Sequence, residues 1–169
     1  VAGLKKGQGK MSKSDPDSAI FMEDPREEVH RKIMQAYCPV KALPDSKIDE
    51  EGATEADDDK NPCLEYIRYV LFSRPNPTFT VKISDDDKKT FTTFESIQEE
   101  FVNGTISETQ LKEGLIDAIN DLLEPIRQHF KKDADASKLL DDVRELRAKI
   151  AAAAAEKKVQ EEQQQQKEK

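Results

Sequence analysis

The sequence predicts a mainly α-helical protein with one small β-hairpin, preceded by a glycine-rich loop. Three observations predict this fold class. Apolar residues recur every three to four positions in several separate segments, which is the period of amphipathic helices. One short stretch alternates apolar and polar side chains, as a half-buried strand does. The first segment has no such period and is rich in Gly, Lys and Ser, which is typical of a loop.

The first helix is predicted to begin at Asp24-Pro25. Asp24 is a suitable N-cap, Pro25 suits the first helical position, and Glu27 stands where a capping box places an acid. An apolar stripe follows at four-residue spacing, and we expect it to end near Cys38-Pro39 because proline cannot continue a helix. Its members are Val29, Ile33 and Tyr37.

Residues 41–60 interrupt the helical pattern with an acidic segment. Within it, residues 45–60 contain eight acids and two bases, so this stretch carries most of the net charge of −8. Residues 1–44 are slightly basic, with eight bases and six acids. We therefore predict an exposed insertion, and we expect any contact with nucleic acid to be local rather than a wholesale wrapping.

A second helix is predicted after Asn61-Pro62, with one apolar face, and a hairpin is predicted behind it. Residues 79–83 alternate strictly and residues 90–94 are β-prone, while the polar run between them suits a turn. The apolar face of the helix is formed by Leu64, Ile67 and Leu71.

The longest predicted helix starts at Ser107, which caps it, and Gln110 completes a capping box. A further stripe predicts another helix, and beyond Ala155 we expect a frayed helix or disorder because little there can be buried. The first stripe consists of Leu111, Leu115, Ile119, Leu122, Ile126 and Phe130, and the second of Leu139, Val143, Leu146 and Ile150.

Composition excludes several classes of protein. No apolar run is long enough to span a membrane, so we expect a soluble, cytoplasmic protein without membrane contact. Cys38 and Cys63 lack zinc-ligand spacing, and no metal site is predicted. Both are interpreted as reduced packing residues, with a single disulfide between them left open.

One motif suggests chemistry. Lys10-Met11-Ser12-Lys13-Ser14 places two ammonium groups and two hydroxyls within five residues of a glycine-rich loop. Such a set suits a triphosphate, because mobile lysines stabilise charge that develops on departing pyrophosphate. On composition alone, an ordinary solvated loop is the commoner explanation.

Three stretches together resemble a known family. They are Lys10 to Pro39, Asn61 to Phe72, and Leu122 to Arg127. In these stretches the chain is similar to the class I aminoacyl-tRNA synthetases, specifically the tyrosyl enzymes of eukaryotic and archaeal type. The alternatives are a tryptophanyl relative or a noncatalytic helical interaction module derived from a synthetase.

The resemblance implies three regions. Residues 1–24 would be the end of a Rossmann-type catalytic domain and carry its KMSKS loop. Residues 25–130 would form a helical anticodon-binding domain with the acidic insertion 41–60, and residues 131–169 a C-terminal helix and low-complexity tail. The enzyme would activate tyrosine with ATP, accompanied by Mg²⁺, and transfer it to tRNA(Tyr), with a homodimer expected for the full enzyme. The N-terminal catalytic half is expected to lie outside this chain, which alone would be inactive.

The resemblance also assigns roles to residues. Lys10 and Lys13 would be catalytic and contact the ATP phosphates, Met11 would pack the loop down, and Ser12 and Ser14 would either bond to phosphate or shape the turn.

The family's anticodon-reading positions differ here. In the family, one anticodon-reading position is an aromatic residue before a Gly-Gly turn, and that position falls near Asp85 in this sequence. The other is a His-Pro-x-Asp motif at a helix start, which is replaced here by Ser107 to Gln110. Asp85, Ser107 and Gln110 are therefore the candidate anticodon contacts, with helix capping the stronger interpretation of Ser107 and Gln110.

Overall fold

In the computed structural model, which describes residues 1–41 and 60–167, an irregular first segment is followed by five α-helices and one two-stranded antiparallel sheet. The mainly helical fold class with a small hairpin is thereby confirmed. The predicted acidic insertion falls mostly on residues 42–59, which lie outside the described residues. The elements are α1 (Arg26–Gln35), α2 (Pro62–Tyr66), β1 (Phe79–Lys82), β2 (Lys88–Phe91), α3 (Phe94–Val102), α4 (Glu108–Lys132) and α5 (Ala134–Lys167).

The start of α1 differs from the prediction. Arg26 is its first residue and Pro25 is the N-cap, with no side-chain capping bond. Asp24 does not cap the helix, because its carboxylate instead accepts from the Phe21 amide at 2.9 Å and pairs with the buried Lys32 at 2.7 Å. A tertiary ion pair has replaced the local capping bond.

Helix α2 begins as predicted. The Asn61 side chain accepts a hydrogen bond from the Leu64 amide at 3.1 Å, and Pro62 occupies the first turn. The helix continues as a π-helical turn over Ile67–Leu71. The three residues of its predicted apolar face are all buried.

The hairpin and its neighbours form much of the core. β1 and β2 pair in register from Phe79 opposite Phe91 to Lys82 opposite Lys88. The β-prone stretch was predicted to reach Phe94, but Phe94 begins α3, whose apolar residues at three- to four-residue spacing face inward. Phe94, Ile97 and Phe101 are these buried residues.

Helix α4 packs against the hairpin through a glycine. A Cβ added at Gly114 would lie 2.8 Å from the Thr80 carbonyl oxygen and 3.1 Å from Phe79 Cζ. Glycine therefore permits an approach of helix to strand that any side chain would obstruct. The predicted capping box is confirmed: the Gln110 amide donates to Ser107 Oγ at 3.3 Å, and the Ser107 amide donates to Gln110 Oε1 at 2.9 Å.

The chain divides into two compact units, Val1–Glu124 and Pro125–Lys169. In the second unit, α5 is helical to Lys167, and of the two predicted alternatives beyond Ala155 the structure has a helix. Its predicted apolar stripe is exposed rather than buried, with fractional exposures from 37% at Val143 to 62% at Leu139.

Candidate functional site

The lysine- and serine-rich loop is held at its base by backbone hydrogen bonds. The Gly3 amide donates to the Gln8 carbonyl at 2.8 Å, and the Leu4 amide donates to the Ser18 carbonyl at 2.9 Å. The Leu4 carbonyl in turn accepts from the Tyr37 amide just beyond α1, at 2.8 Å. Residues on both sides of the loop are thus fixed to each other and to the end of α1.

Ser18 fixes the loop backbone through its side-chain hydroxyl. Its side chain is fully buried, and its Oγ lies 2.8 Å from the Ser12 amide, 2.8 Å from the Ser12 carbonyl and 2.7 Å from the Asp15 carbonyl. One hydroxyl therefore satisfies polar backbone groups at two points of the turn, which fixes the backbone between them.

Asp15 connects the far end of the loop to the first residues of the chain. It caps a short 3-10 helix, Pro16–Ser18, by accepting from the Asp17 amide at 3.2 Å. Lys5 Nζ lies 2.8 and 2.7 Å from its two carboxylate oxygens. The hydrogen bond from Lys5 lowers the pKa of Asp15 below its ordinary value, and desolvation opposes this only in part.

Met11 is fixed by a tyrosine from α2. Tyr66 Oη lies 3.4 Å from Met11 Sδ and accepts from the Ile20 amide at 3.3 Å. Tyr66 is buried, and this burial raises the pKa of its phenol. This contact agrees with the prediction that Met11 packs the loop down, although Met11 remains 43% exposed.

The two loop lysines take no part in this network of hydrogen bonds. Lys10 and Lys13 are exposed, and neither has a hydrogen-bond or ion-pair partner among residues 1–41 and 60–167. Lys10 borders an open surface cleft of about 530 Å³, together with Gln8, Gly9 and Ser12. The Ser12 and Ser14 hydroxyls lie 2.8 Å apart and bond to each other. A fixed backbone thus presents two uncommitted ammonium groups, which suits a polyanion.

An arginine of α1 supports the same region. Arg31 pairs with Asp17 in the 3-10 helix and with Glu28 one turn earlier in α1, at 2.6 Å. Hydrogen bonding to Arg31 lowers the pKa of both carboxyls. These bonds hold the segment behind the loop against α1.

The three candidate anticodon contacts lie near one another. Asp85 is exposed in the turn between β1 and β2, and the Ile83 carbonyl at the start of that turn accepts from Gln110 Nε2 at 3.0 Å. Ser107 and Gln110 are the two partners of the α4 capping box. The structure therefore joins the hairpin turn to the start of α4 through the side-chain amide of Gln110, which bonds to both Ile83 and Ser107.

Several supporting residues were not predicted from sequence. Lys5, Ser18 and Tyr66 contribute through contacts to residues 6 to 55 positions away. None of these three residues has a local sequence signal for its contact. The Asp15 cap does have one, because an acid directly before Pro16 is typical of a helix start.

Two further observations concern the described residues as a whole. Within residues 1–41 and 60–167, no group of three or more His, Cys, Asp or Glu side chains is placed to bind a metal. In the same part of the chain, no helix is long and apolar enough to cross a membrane.

Comparison with known protein families shows which family the chain belongs to. The family described as tRNA synthetases class I (W and Y) matches residues 1–124, which includes the loop, the hairpin and most of α4. The chain belongs to this family. The predicted synthetase resemblance is confirmed at that level.

Individual relatives of this synthetase family carry tyrosine in their names. Cytoplasmic tyrosine-tRNA ligase 1 of Arabidopsis thaliana is 42% identical over 149 residues, which covers 87% of this chain and 34% of that protein. Tyrosine-tRNA ligase of Pyrococcus horikoshii is 33% identical over 143 residues, covering 82% of this chain and 34% of that protein. The chain thus spans about a third of the length of these two relatives.

Solved synthetase structures agree with the fold. The tyrosyl-tRNA synthetase of Leishmania major, in complex with fisetin, is 50% identical with a TM-score of 0.76, over 87% of this chain and 24% of that chain. The enzyme from Aeropyrum pernix is 28% identical with a TM-score of 0.66, over 85% of this chain and 37% of that chain.

Proposed function

We propose that this chain is the C-terminal part of a tyrosine-tRNA ligase. The complete enzyme joins tyrosine to ATP, forming tyrosyl adenylate and releasing pyrophosphate, and then transfers the tyrosyl group to tRNA(Tyr). This chain supplies the ATP-contacting KMSKS loop, residues 10–14, and a helical module for the anticodon end of the tRNA.

The proposal rests on a contrast between the fixed backbone of the loop and the side chains of its two lysines, which are unpaired in the described part of the chain. Its backbone is fixed through Ser18, Asp15 and Met11, whereas Lys10 and Lys13 have no partner among the described residues. Free cations on a fixed support are what stabilisation of a leaving polyanion requires, since little reorganisation is then needed as charge develops. The tyrosine-named relatives support tyrosine over tryptophan as the amino acid.

Each loop residue has a role in this proposal. Lys13 and Lys10 contact the β- and γ-phosphates of ATP and the departing pyrophosphate, and their contacts tighten in the transition state. Met11 positions the loop through Tyr66. Ser12 and Ser14 shape the turn through their mutual hydrogen bond and turn a hydroxyl to phosphate when ATP arrives. Mg²⁺ accompanying ATP would neutralise part of the phosphate charge beside Lys10 and Lys13.

The anticodon part of the proposal concerns the hairpin turn. Gln110 holds that turn through the Ile83 carbonyl, and Ser107 holds Gln110. Asp85 is exposed in the same turn and is the side chain available to accept a hydrogen bond from a base edge. We assign Ser107 and Gln110 to positioning the turn beside the anticodon.

The Arabidopsis relatives are named cytoplasmic, which supports the same location for this protein. The family match favours an enzyme part over a noncatalytic interaction module, because the matched residues include the whole loop.

A chimera tests the proposal. The matching segment of Arabidopsis thaliana tyrosine-tRNA ligase 1 is replaced by this chain, and tyrosine-dependent exchange between ATP and pyrophosphate is measured. We expect the chimera to retain tyrosine-dependent exchange. A folded chimera that lacks exchange, while the unmodified ligase retains it, contradicts the proposal. The matched control carries Lys10 and Lys13 both changed to Ala, which should abolish the exchange without unfolding the chimera.

A further inference from the structure

Met11 is both accessible and hydrogen-bonded. Its side chain is 43% exposed at the second position of the KMSKS loop. Its Sδ accepts a hydrogen bond from Tyr66 Oη at 3.4 Å. A thioether sulfur accepts hydrogen bonds through its lone pairs, and an oxidant takes the same electrons. A chemical change at this sulfur therefore acts directly on its contact with Tyr66.

The phenol of Tyr66 depends on this sulfur. Tyr66 is only 6% exposed, and its oxygen accepts a hydrogen bond from the Ile20 amide at 3.3 Å. The hydroxyl has one proton to donate, and it donates that proton to Met11. A buried hydroxyl that loses its acceptor has nothing to replace its lost hydration. The hydrogen bond therefore stabilises the present loop position only while the sulfur can accept it.

An oxygen added to the Met11 sulfur does not fit into this contact. A hydrogen bond between two oxygens itself needs about 2.5–3.0 Å, and the length of the S–O bond adds to that. The present 3.4 Å between Sδ and Oη leaves no room for a sulfoxide oxygen on the line between them. An oxygen placed to the side instead uses a lone pair of the sulfur and makes the sulfur electron-poor. In either case the present hydrogen bond is lost or the loop has to shift.

The other two methionines differ from Met11. Met22 is 67% exposed, and its sulfur makes no hydrogen bond within residues 1–41 and 60–167. Met34 lies in α1 and is half-buried. An oxygen on Met22 therefore breaks no contact of this kind in the described part of the chain. Met22 thus serves as an internal control that measures exposure to oxidant.

We propose that Met11 is an oxidation site, at which a hydroperoxide breaks the contact with Tyr66 and loosens the loop. A sulfur lone pair attacks one peroxide oxygen, the S–O bond forms, and the O–O bond breaks. The departing hydroxide or alkoxide takes up a proton and leaves as water or an alcohol. The sulfur loses two electrons and becomes a sulfoxide, while the peroxide gains them. Oxidation and loosening go beyond the ligase function; an effect on the use of ATP would rest on that function.

The test uses the full chain, hydrogen peroxide and a readout of the loop that needs no catalysis. Oxygen uptake at each methionine is mapped by mass spectrometry of peptides, and amide hydrogen exchange is measured at residues 10–14 in the same samples. We expect this exchange to accelerate at least about fivefold as Met11 becomes a sulfoxide. Methionine sulfoxide reductases should restore the original rate, which separates this effect from oxidation of Cys38 or Cys63.

Three variants are each compared with their own untreated sample. Met22→Leu should respond to peroxide as the unmodified chain does, whereas Met11→Leu should not respond. In Tyr66→Phe the hydrogen bond is already absent, so oxidation of Met11 should change the exchange rate by less than about twofold, because changes at one contact do not add. A full response to peroxide in Met11→Leu or in Tyr66→Phe contradicts the proposal.

The unmodified chain alone can also overturn the proposal, so the outcome does not depend on a variant folding. One such result is a Met11 that stays reduced after Met22 is fully oxidised. The other is unchanged exchange at residues 10–14 when Met11 is fully oxidised.

Discussion

Tyr66 Oη lies 3.4 Å from Met11 Sδ, and this contact joins α2 to the loop that carries Lys10 and Lys13. The same oxygen accepts a hydrogen bond from the Ile20 amide, so one phenol fixes the chain on both sides of the 3-10 helix. We therefore treat Tyr66 as a positioning residue for the loop rather than as a residue that touches ATP.

Replacing this phenol should loosen the loop. In Tyr66→Phe, the Ile20 amide loses its partner, and we expect a loss of about 1–2 kcal/mol in the free energy of unfolding. Amide hydrogen exchange at residues 10–14 should accelerate as well. Tyr69→Phe is the matched control, because Tyr69 is half exposed. Unchanged exchange at residues 10–14 in Tyr66→Phe would show that the contact does not position the loop.

The pairing of Asp15 with Lys5 makes the loop sensitive to acid. Because the folded-state pKa of Asp15 lies below the unfolded value, its contribution to stability is complete above the unfolded pKa and is lost as the pH falls through the folded pKa. The Asp15 carboxyl should therefore titrate below 3.8 in a carbon-detected NMR titration. Lys5→Met should raise that pKa, and Lys6→Met should not. An Asp15 pKa that does not respond to Lys5→Met contradicts the assignment.

The buried pair Lys32–Asp24 should matter more for stability than any exposed pair. Lys32 Nζ lies 2.7 Å from Asp24 and 3.1 Å from the Ala19 carbonyl, and its side chain is 2% exposed. Lys32→Met removes an ammonium group 2.7 Å from a buried carboxylate and should cost about 3–5 kcal/mol in chemical denaturation. Lys131→Met, at an exposed position, is the control. We expect Asp24→Leu added to Lys32→Met to recover part of the loss; a further loss would show that Asp24 is stabilised independently of Lys32.

Gly114→Ala tests the approach of α4 to β1. Alanine is the better helix former by about 1 kcal/mol, yet its Cβ would lie 2.8 Å from the Thr80 carbonyl oxygen. Overpacking of this kind typically costs about 1–3 kcal/mol, so we expect a lower melting temperature. Glu113→Ala, at the preceding exposed position, should leave it nearly unchanged. A melting temperature raised by Gly114→Ala would mean that the hairpin moves away without cost.

Sequence predicted the elements that local signals determine. The capping box of Ser107 and Gln110 was predicted correctly because both partners lie within three residues. The helix start at Asn61-Pro62 was predicted as well, although the capping bond of Asn61 was not. Asp24 was misassigned because Lys32, eight residues further along the chain, competes for its carboxylate. Phe94 was misassigned because aromatic residues favour strands, and the helical spacing that runs from Phe94 to Phe101 was overlooked.

In the candidate site, too, only the residues with a local sequence signal could be predicted. The loop lysines were predictable because the motif is contiguous. Its supports were not, since Tyr66 and Met11 lie 55 positions apart and only the fold brings them together.

The most direct measurement of the central claim is the rate of tyrosine-dependent ATP–pyrophosphate exchange in the chimeric ligase that carries Lys13→Ala. Lys6→Ala, another exposed lysine near the loop, serves as the matched control. Loss of a transition-state contact to the leaving pyrophosphate should lower the exchange rate by about 10²–10³-fold, with folding unchanged and with Lys6→Ala near the parent rate. Exchange at the parent rate in the Lys13→Ala chimera would contradict the account.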